Sequence, residues 1–244
     1  VPHLADDDYV ERLATLLART VDKERVVYVE YSNEVWNGVF GQSRDSMLAG
    51  KRLGLGSNDF EAQLRYYSKR SVEVFKIFER AFGGSSRLVR VMGSQAANPW
   101  VSDTVLTHED AWKQVDALAI APYFGGELGT PETHAATRAM SLDDLFAWLH
   151  TRSLPMVRDW LRGQREVAVR YGVPLIAYEG GQHLAGVGPP VDDAAVNALF
   201  DAARGRYIAT RIEDEDNTSF YKLRGVIANL DTAAKTFTIG SEVI

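Results

Sequence analysis

Apolar side chains recur along this chain with two alternating periods. Over residues 7–21 (DDYVERLATLLARTV), Val10, Leu13, Leu16 and Leu17 share one helical face behind an acidic start, which predicts an amphipathic helix. The run Val26-Val27-Tyr28-Val29-Glu30-Tyr31 is β-branched and aromatic and predicts a buried strand, ending in SNEVWN. Residues 58–82 return to helical spacing through Leu64, Tyr67, Val74, Ile77 and Phe78, and Gly83-Gly84 terminates them. The alternation then repeats. Strands are predicted at 88–92 and 117–121, a helix at 142–171 with a break near Pro155, a fourth strand at 175–178, and a last helix at 192–204.

Strands alternating with long helices imply parallel pairing through crossovers, hence an α/β fold. Each predicted strand is followed by polar or Gly-rich residues, so functional groups should gather at the strands' C-terminal ends. The pattern changes after Gly205. Residues 206–219 contain the charged run RIEDEDNTS and read as a linker, and residues 220–244 read as a short β-hairpin turning at Asn229-Leu230-Asp231.

Composition narrows the function. The 244 residues carry a formal net charge of −6, against the basic surface that nucleic-acid binding requires. Cysteine is absent, so disulfides and thiolate metal sites are excluded. The histidines at 3, 108, 134, 150 and 183 have no ligand spacing, and neither a metal nor another cofactor is expected. No apolar run reaches the roughly 18 residues of a membrane span, and no signal peptide is recognisable.

Two carboxylates are distinguished by context. Glu34 follows the first strand in YVEYSNEVWN, and Glu179 ends the fourth in PLIAYEGGQH. An isolated Glu at a strand end is ordinarily a solvated loop residue. Two of them at the C-terminal ends of parallel strands can meet at one mouth, as cleavage of a glycosidic bond requires: one protonates the leaving oxygen and the other attacks the anomeric carbon. Glu30 lies in the first strand, where a structural hydrogen-bonding role is expected. No GxSxG elbow is present, and Ser32 and Ser94 have no evident His partner, which argues against an esterase.

These residues resemble the clan A glycoside hydrolases, (β/α)₈ TIM-type barrels whose fourth strand ends in Asn-Glu and whose seventh ends in a nucleophilic Glu. The wider strings YVEYSNEVWN and AYEGGQHL look similar to a bacterial subgroup of cellulose-binding or glycosidase-like proteins, and the resemblance covers residues 1–204. It implies a retaining hydrolase acting on β-linked polysaccharide or oligosaccharide, outside the cell or in the periplasm, with Glu34 as acid/base and Glu179 as nucleophile. It further implies that Asn33 binds a sugar hydroxyl, that Tyr123 orients the nucleophile, and that Trp36, Trp100, Gln182 and His183 line the substrate site. Trp112, Trp148 and Trp160 lie in helical patterns and are assigned to the core.

In that alignment Glu34 closes barrel strand four and Glu179 strand seven, so strands one to three would precede Val1. The eighth strand and the arginine usual after strand two are not recognisable. The expected architecture is therefore a partial or modified barrel over residues 1–205, either one whose open edges call for a second copy or a further segment to complete the sheet, or an open α/β sheet that carries the motif. The alternative is a catalytically incomplete carbohydrate-binding protein.

Overall fold

A computed structural model describes residues 1–205, together with the backbone of four strands at 208–209, 225–231, 236–239 and 242–243. The chain divides into two compact units, one of residues 1–123 and 155–181, the other of residues 124–154 and 182–244.

The first unit is a parallel α/β layer. Helix α1 (Asp7–Thr20) opens at Asp6, whose carboxylate accepts the Tyr9 N–H at 2.8 Å and satisfies one orphan donor of the first turn. Strand β1 (Val27–Glu30), helices α2 (Gly41–Arg52) and α3 (Asp59–Phe82), strand β2 (Leu88–Gly93), helix α4 (Pro99–Thr107), strand β3 (Ala117–Ile120) and the two-residue strand β4 (Tyr123–Phe124) follow. Helices α5 (His134–Arg138) and α6 (Leu142–Trp148) belong to the second unit; helix α7 (Leu154–Tyr171) then leads to strand β5 (Leu175–Ala177). The parallel sheet has the order β1-β2-β3-β5, so its neighbours are also neighbours in the chain.

The predicted faces of α1, α3 and α7, except for the exposed Leu16 of α1, pack on this sheet together with α4. Val10 and Ala14 of α1, Leu64, Tyr67, Val74, Phe75 and Phe78 of α3, Val101 and Val105 of α4, and Val167 of α7 join Val29, Leu88, Met92 and Leu118 of the strands in one core. At about 25 cal/mol per Å² of apolar surface, burial of this kind is the main stabilising contribution. Below it, the Arg90 guanidinium makes a bidentate pair with Asp116, both bonds at 2.8 Å, and reaches Glu79 at 2.7 Å.

Several expectations need correction. The first strand is not wholly buried: Val29 and Tyr31 are, but Val26 and Tyr28 are exposed, because β1 lies at an edge of the sheet and has one covered face. The fourth parallel strand, β5, is likewise at an edge and only partly buried. The segment near Pro155 does not break the helix. Its α-helical ladder is instead interrupted there by a wide π-helical turn over Leu149–Ser153, after which α7 begins with Pro155 as its second residue.

Helices α2 and α4 were not anticipated. Helix α4 carries a legible signal, the Asn98 cap before Pro99 at its first turn. Helix α2 buries Ser43, Ser46, Ala49 and Gly50 instead of large apolar groups, so it has no strong hydrophobic period to read. Those small residues permit close packing on α3: a Cβ at Gly50 would stand 2.0 Å from the Ala62 carbonyl oxygen.

In the second unit, Leu128, Leu145, Leu149, Leu184, Val196, Phe200 and Ala203 form a separate core. It contains a short strand, β6 (Gly181–Gln182, which begins at the last residue of the first unit), and helix α8 (Ala194–Arg204), capped by Asp193. Strands β7 (Ile208–Ala209), β8 (Gly225–Asp231), β9 (Thr236–Ile239) and β10 (Glu242–Val243) form an antiparallel sheet of order β10-β9-β8-β7. The expected antiparallel pairing near the C-terminus is thus present. Its turn is not at Asn229-Leu230-Asp231, which lie inside β8. Ile208 and Ala209, placed in the expected linker, pair with β8, while residues 206–207, 210–219 and 220–224 lie outside the described residues.

Candidate functional site

The C-terminal ends of β1 and β5 bring together a set of carboxylates and phenols within the first unit. After β1 the chain leaves Tyr31 buried, its hydroxyl donating to the His3 carbonyl at 2.8 Å, and then turns sharply. Ser32 and Glu34 both adopt left-handed backbone conformations, with φ of 59° and 45°. Non-glycine residues held there store of the order of 1–3 kcal/mol each and persist only where surrounding bonds over-determine them. Those bonds are visible. The Asn37 N–H donates to the Glu34 carbonyl at 2.9 Å, Gln42 Nε2 donates to the Asn33 carbonyl at 2.8 Å, and the buried Gln63 amide donates to the Val35 carbonyl and to Ser43 Oγ.

The Glu34 carboxylate is fixed from both sides. Oε2 accepts from Asn37 Nδ2 at 2.9 Å, and Oε1 accepts from the Tyr178 hydroxyl at 3.4 Å. Tyr178 directly follows β5, and its backbone N–H is tied to the Ile120 carbonyl at 3.1 Å. Burial pushes its phenol well above the ordinary tyrosine range, and the charges of Glu34, Glu179 and Glu30 push it further. Tyr123, three residues beyond β3 at the start of β4, is also raised, by desolvation first and then by Glu179, to which it is hydrogen-bonded. Three carboxylates and two phenols therefore sense one another across the ends of three strands.

Glu179 itself is exposed and precedes Gly180, which lies against Pro122. Glu30 is the third carboxylate. It points to the sheet face opposite the helices, where its register partner is Val91, and its Oε1 is buried with no hydrogen-bond partner. Desolvation raises its pKa to about 7; the Val1 amino group lowers it, and Glu179 raises it further. The space for Glu30 comes from Gly93, where a Cβ would stand 2.7 Å from Glu30 Oε1, 3.1 Å from the Tyr67 hydroxyl and 3.3 Å from the Trp36 ring. The Gly93 N–H donates to that Tyr67 hydroxyl at 2.8 Å.

The other expected site residues distribute unevenly. Trp36 is packed edge-to-face on Tyr67 with centroids 6.3 Å apart, so its ring borders Glu30 as part of the wall. Asn33 is exposed, and it is Asn37 whose side chain meets Glu34. Trp100 is 47% exposed and stacks on Phe60 at 5.9 Å, both in the first turns of helices. Gln182 and His183 belong to the second unit, where Gln182 Oε1 accepts the Leu184 N–H at 2.9 Å and the His183 N–H donates to the Phe124 carbonyl at 2.7 Å. Trp112 and Trp148 border the two cores, as expected from their helical spacing.

Asn37 and Tyr178 were missed as members of the site. Both signals were in the quoted strings: Asn37 closes SNEVWN, and Tyr178 immediately precedes Glu179. Among the described residues, no three His, Cys, Asp or Glu side chains are grouped to hold a metal ion, and no helix is long and apolar enough to cross a membrane. No family model matches the chain, and no curated protein matches its sequence.

Proposed function

We propose that this chain is a retaining glycoside hydrolase for β-linked polysaccharide or oligosaccharide, with Glu34 as acid/base and Glu179 as nucleophile. The observation that carries the reading is the convergence of both carboxylates on Tyr178 and Tyr123 at the C-terminal edge of a parallel sheet. In the reaction, the Glu34 carboxylic acid gives its proton to the glycosidic oxygen as that bond breaks, while a Glu179 carboxylate oxygen bonds to the anomeric carbon. Water then attacks the same carbon, Glu34 takes the water's proton, and the Glu179–sugar bond breaks to restore the carboxylate. Tyr178 and Asn37 hold Glu34, and Tyr123 holds Glu179.

The fold supports a partial (β/α)₈ barrel. Parallel strands lying in chain order wind in one direction, as a barrel requires, whereas a doubly wound sheet reverses its order at a switch point. Among the described residues, β1 and β5 each pair on one side only, and Val26 and Tyr28 expose apolar surface at the β1 edge. A second copy or a further segment completes the sheet in this account.

The same open edges favour the second reading, a carbohydrate-binding protein with an incomplete site. Screening aryl β-glycosides, β-glucan, xylan and mannan separates the two. Turnover that disappears in Glu34→Gln and Glu179→Ala supports the hydrolase; saturable sugar binding with no turnover by the assembled protein supports the binding module.

A further inference from the structure

We propose that Glu30 is held neutral within the carboxylate cluster, a positioning residue whose retained proton keeps a buried negative charge away from Glu179. This inference rests on the site proposed above and assigns a role to a carboxyl group that the two-step reaction leaves unused.

The geometry carries it. A carboxylate accepts hydrogen bonds at both oxygens, and burying one oxygen of an ionised group with no donor is far more costly than burying a neutral acid. Glu30 Oε1 is in that position, sealed by Gly93, with the Tyr67 hydroxyl and the Trp36 ring edge beside it. The Tyr67 hydroxyl accepts from the Gly93 N–H and makes no hydrogen bond to Oε1. The titratable and charged groups facing Glu30 are few: Tyr67 from α3, Tyr178 and Glu179 after β5, and the Val1 amino group, which donates to the Glu30 backbone carbonyl at 2.7 Å. Among them Glu179 is the anion in the resting state of the proposed reaction, so a proton on Glu30 avoids a like-charge pair. Its pKa, raised to about 7 chiefly by desolvation, agrees with a group that gives up this proton only near neutrality.

The consequence is a charge state that changes with pH. Below about pH 7 the cluster holds Glu30 as an acid. Above it, the Glu30 anion has no donor for Oε1, and the wall formed by Gly93, Tyr67 and Trp36 has to rearrange around it. Glutamine has the shape of the neutral acid and cannot ionise, so Glu30→Gln fixes the low-pH state.

The test pairs a titration with a rate profile. Carbon-detected NMR of glutamate side-chain carboxyls should show a group titrating near pH 7 in the unmodified chain that is absent in Glu30→Gln. Cleavage of an aryl β-glycoside by Glu30→Gln should stay within about threefold of the parent at pH 6 and fall less than the parent at pH 8. A residue that is merely structural would lower the rate equally at every pH. Persistence of the near-neutral titration in Glu30→Gln, or ordinary titration of every glutamate in the parent, overturns the proposal. If Glu30→Gln folds poorly, the same titration in Glu34→Gln decides it: a near-neutral group that persists there supports the assignment to Glu30, and its loss there overturns the proposal. Absence of turnover with the titration intact would instead refute the hydrolase reading and leave the neutral Glu30 standing.

Discussion

The two strand ends that supply the carboxylates are built in opposite ways. Glu34 sits in a strained turn, half-buried, with one carboxylate oxygen on Asn37 and the other on Tyr178, and with its backbone held by Gln42 and Gln63. Glu179 is exposed, follows an edge strand of three residues, and is steadied by Tyr123. A group that must give and take one proton at a fixed point benefits from rigid aim, whereas a nucleophile must reach a carbon and be released from it. The contrast matches the roles proposed for each.

Removing the nucleophile should break this comparison most completely. Glu179→Ala is expected to lower turnover by at least about 10⁴-fold, a magnitude consistent with deleting a covalent nucleophile. Added azide should restore part of the rate and yield product of inverted configuration. Glu34→Gln comes next. Its loss should reach about 10²–10⁴-fold on substrates with poor leaving groups and be much smaller on activated aryl glycosides, which depart without a proton. Equal losses on both classes would contradict the acid role.

Stability should show the charge state of the cluster. Glu30 has a pKa raised from 4.5 to about 7 in the folded chain, so its contribution is fully present below about pH 4.5 and is lost as pH rises through about 7. The loss amounts to about 3 kcal/mol. Denaturant unfolding across that range should show this fall in the parent and lack it in Glu30→Gln.

Smaller changes probe the support around Glu34. Gln63→Leu leaves the Val35 carbonyl without its donor and should cost about 1–3 kcal/mol of stability, with a reduced rate on poor leaving groups and undiminished labelling of Glu179. Tyr178→Phe removes a single long bond to Glu34 and should reduce the rate by only about 3–10-fold. A larger loss would mean that Tyr178 also touches the substrate.

Much of the fold was legible because large apolar residues mark it. The face of α3 through Leu64, Tyr67, Val74, Ile77 and Phe78, and the strand at 88–93, follow from periodicity. Helix α2 did not, since its packing face is made of serine, alanine and glycine. The edge character of β1 was also hidden, because Val-Tyr-Val reads the same whether one or both faces are covered. At the site, Glu34 and Glu179 were recognisable by their neighbours. The burial of Glu30 Oε1 was not, because it depends on Gly93, which is 63 residues distant in sequence and brought close by strand pairing.

Glu179 is expected to form a covalent bond to the sugar, and a 2-fluoro β-glycoside with a good leaving group should trap it. The fluorine slows the second step more than the first, so the glycosyl-enzyme accumulates. Intact-mass analysis should show one added sugar, and peptide mapping should place it on Glu179 within PLIAYEGGQH, with no labelling in Glu179→Ala. Attachment at another residue, or inversion of configuration when the unmodified chain turns over an ordinary substrate, would contradict the account.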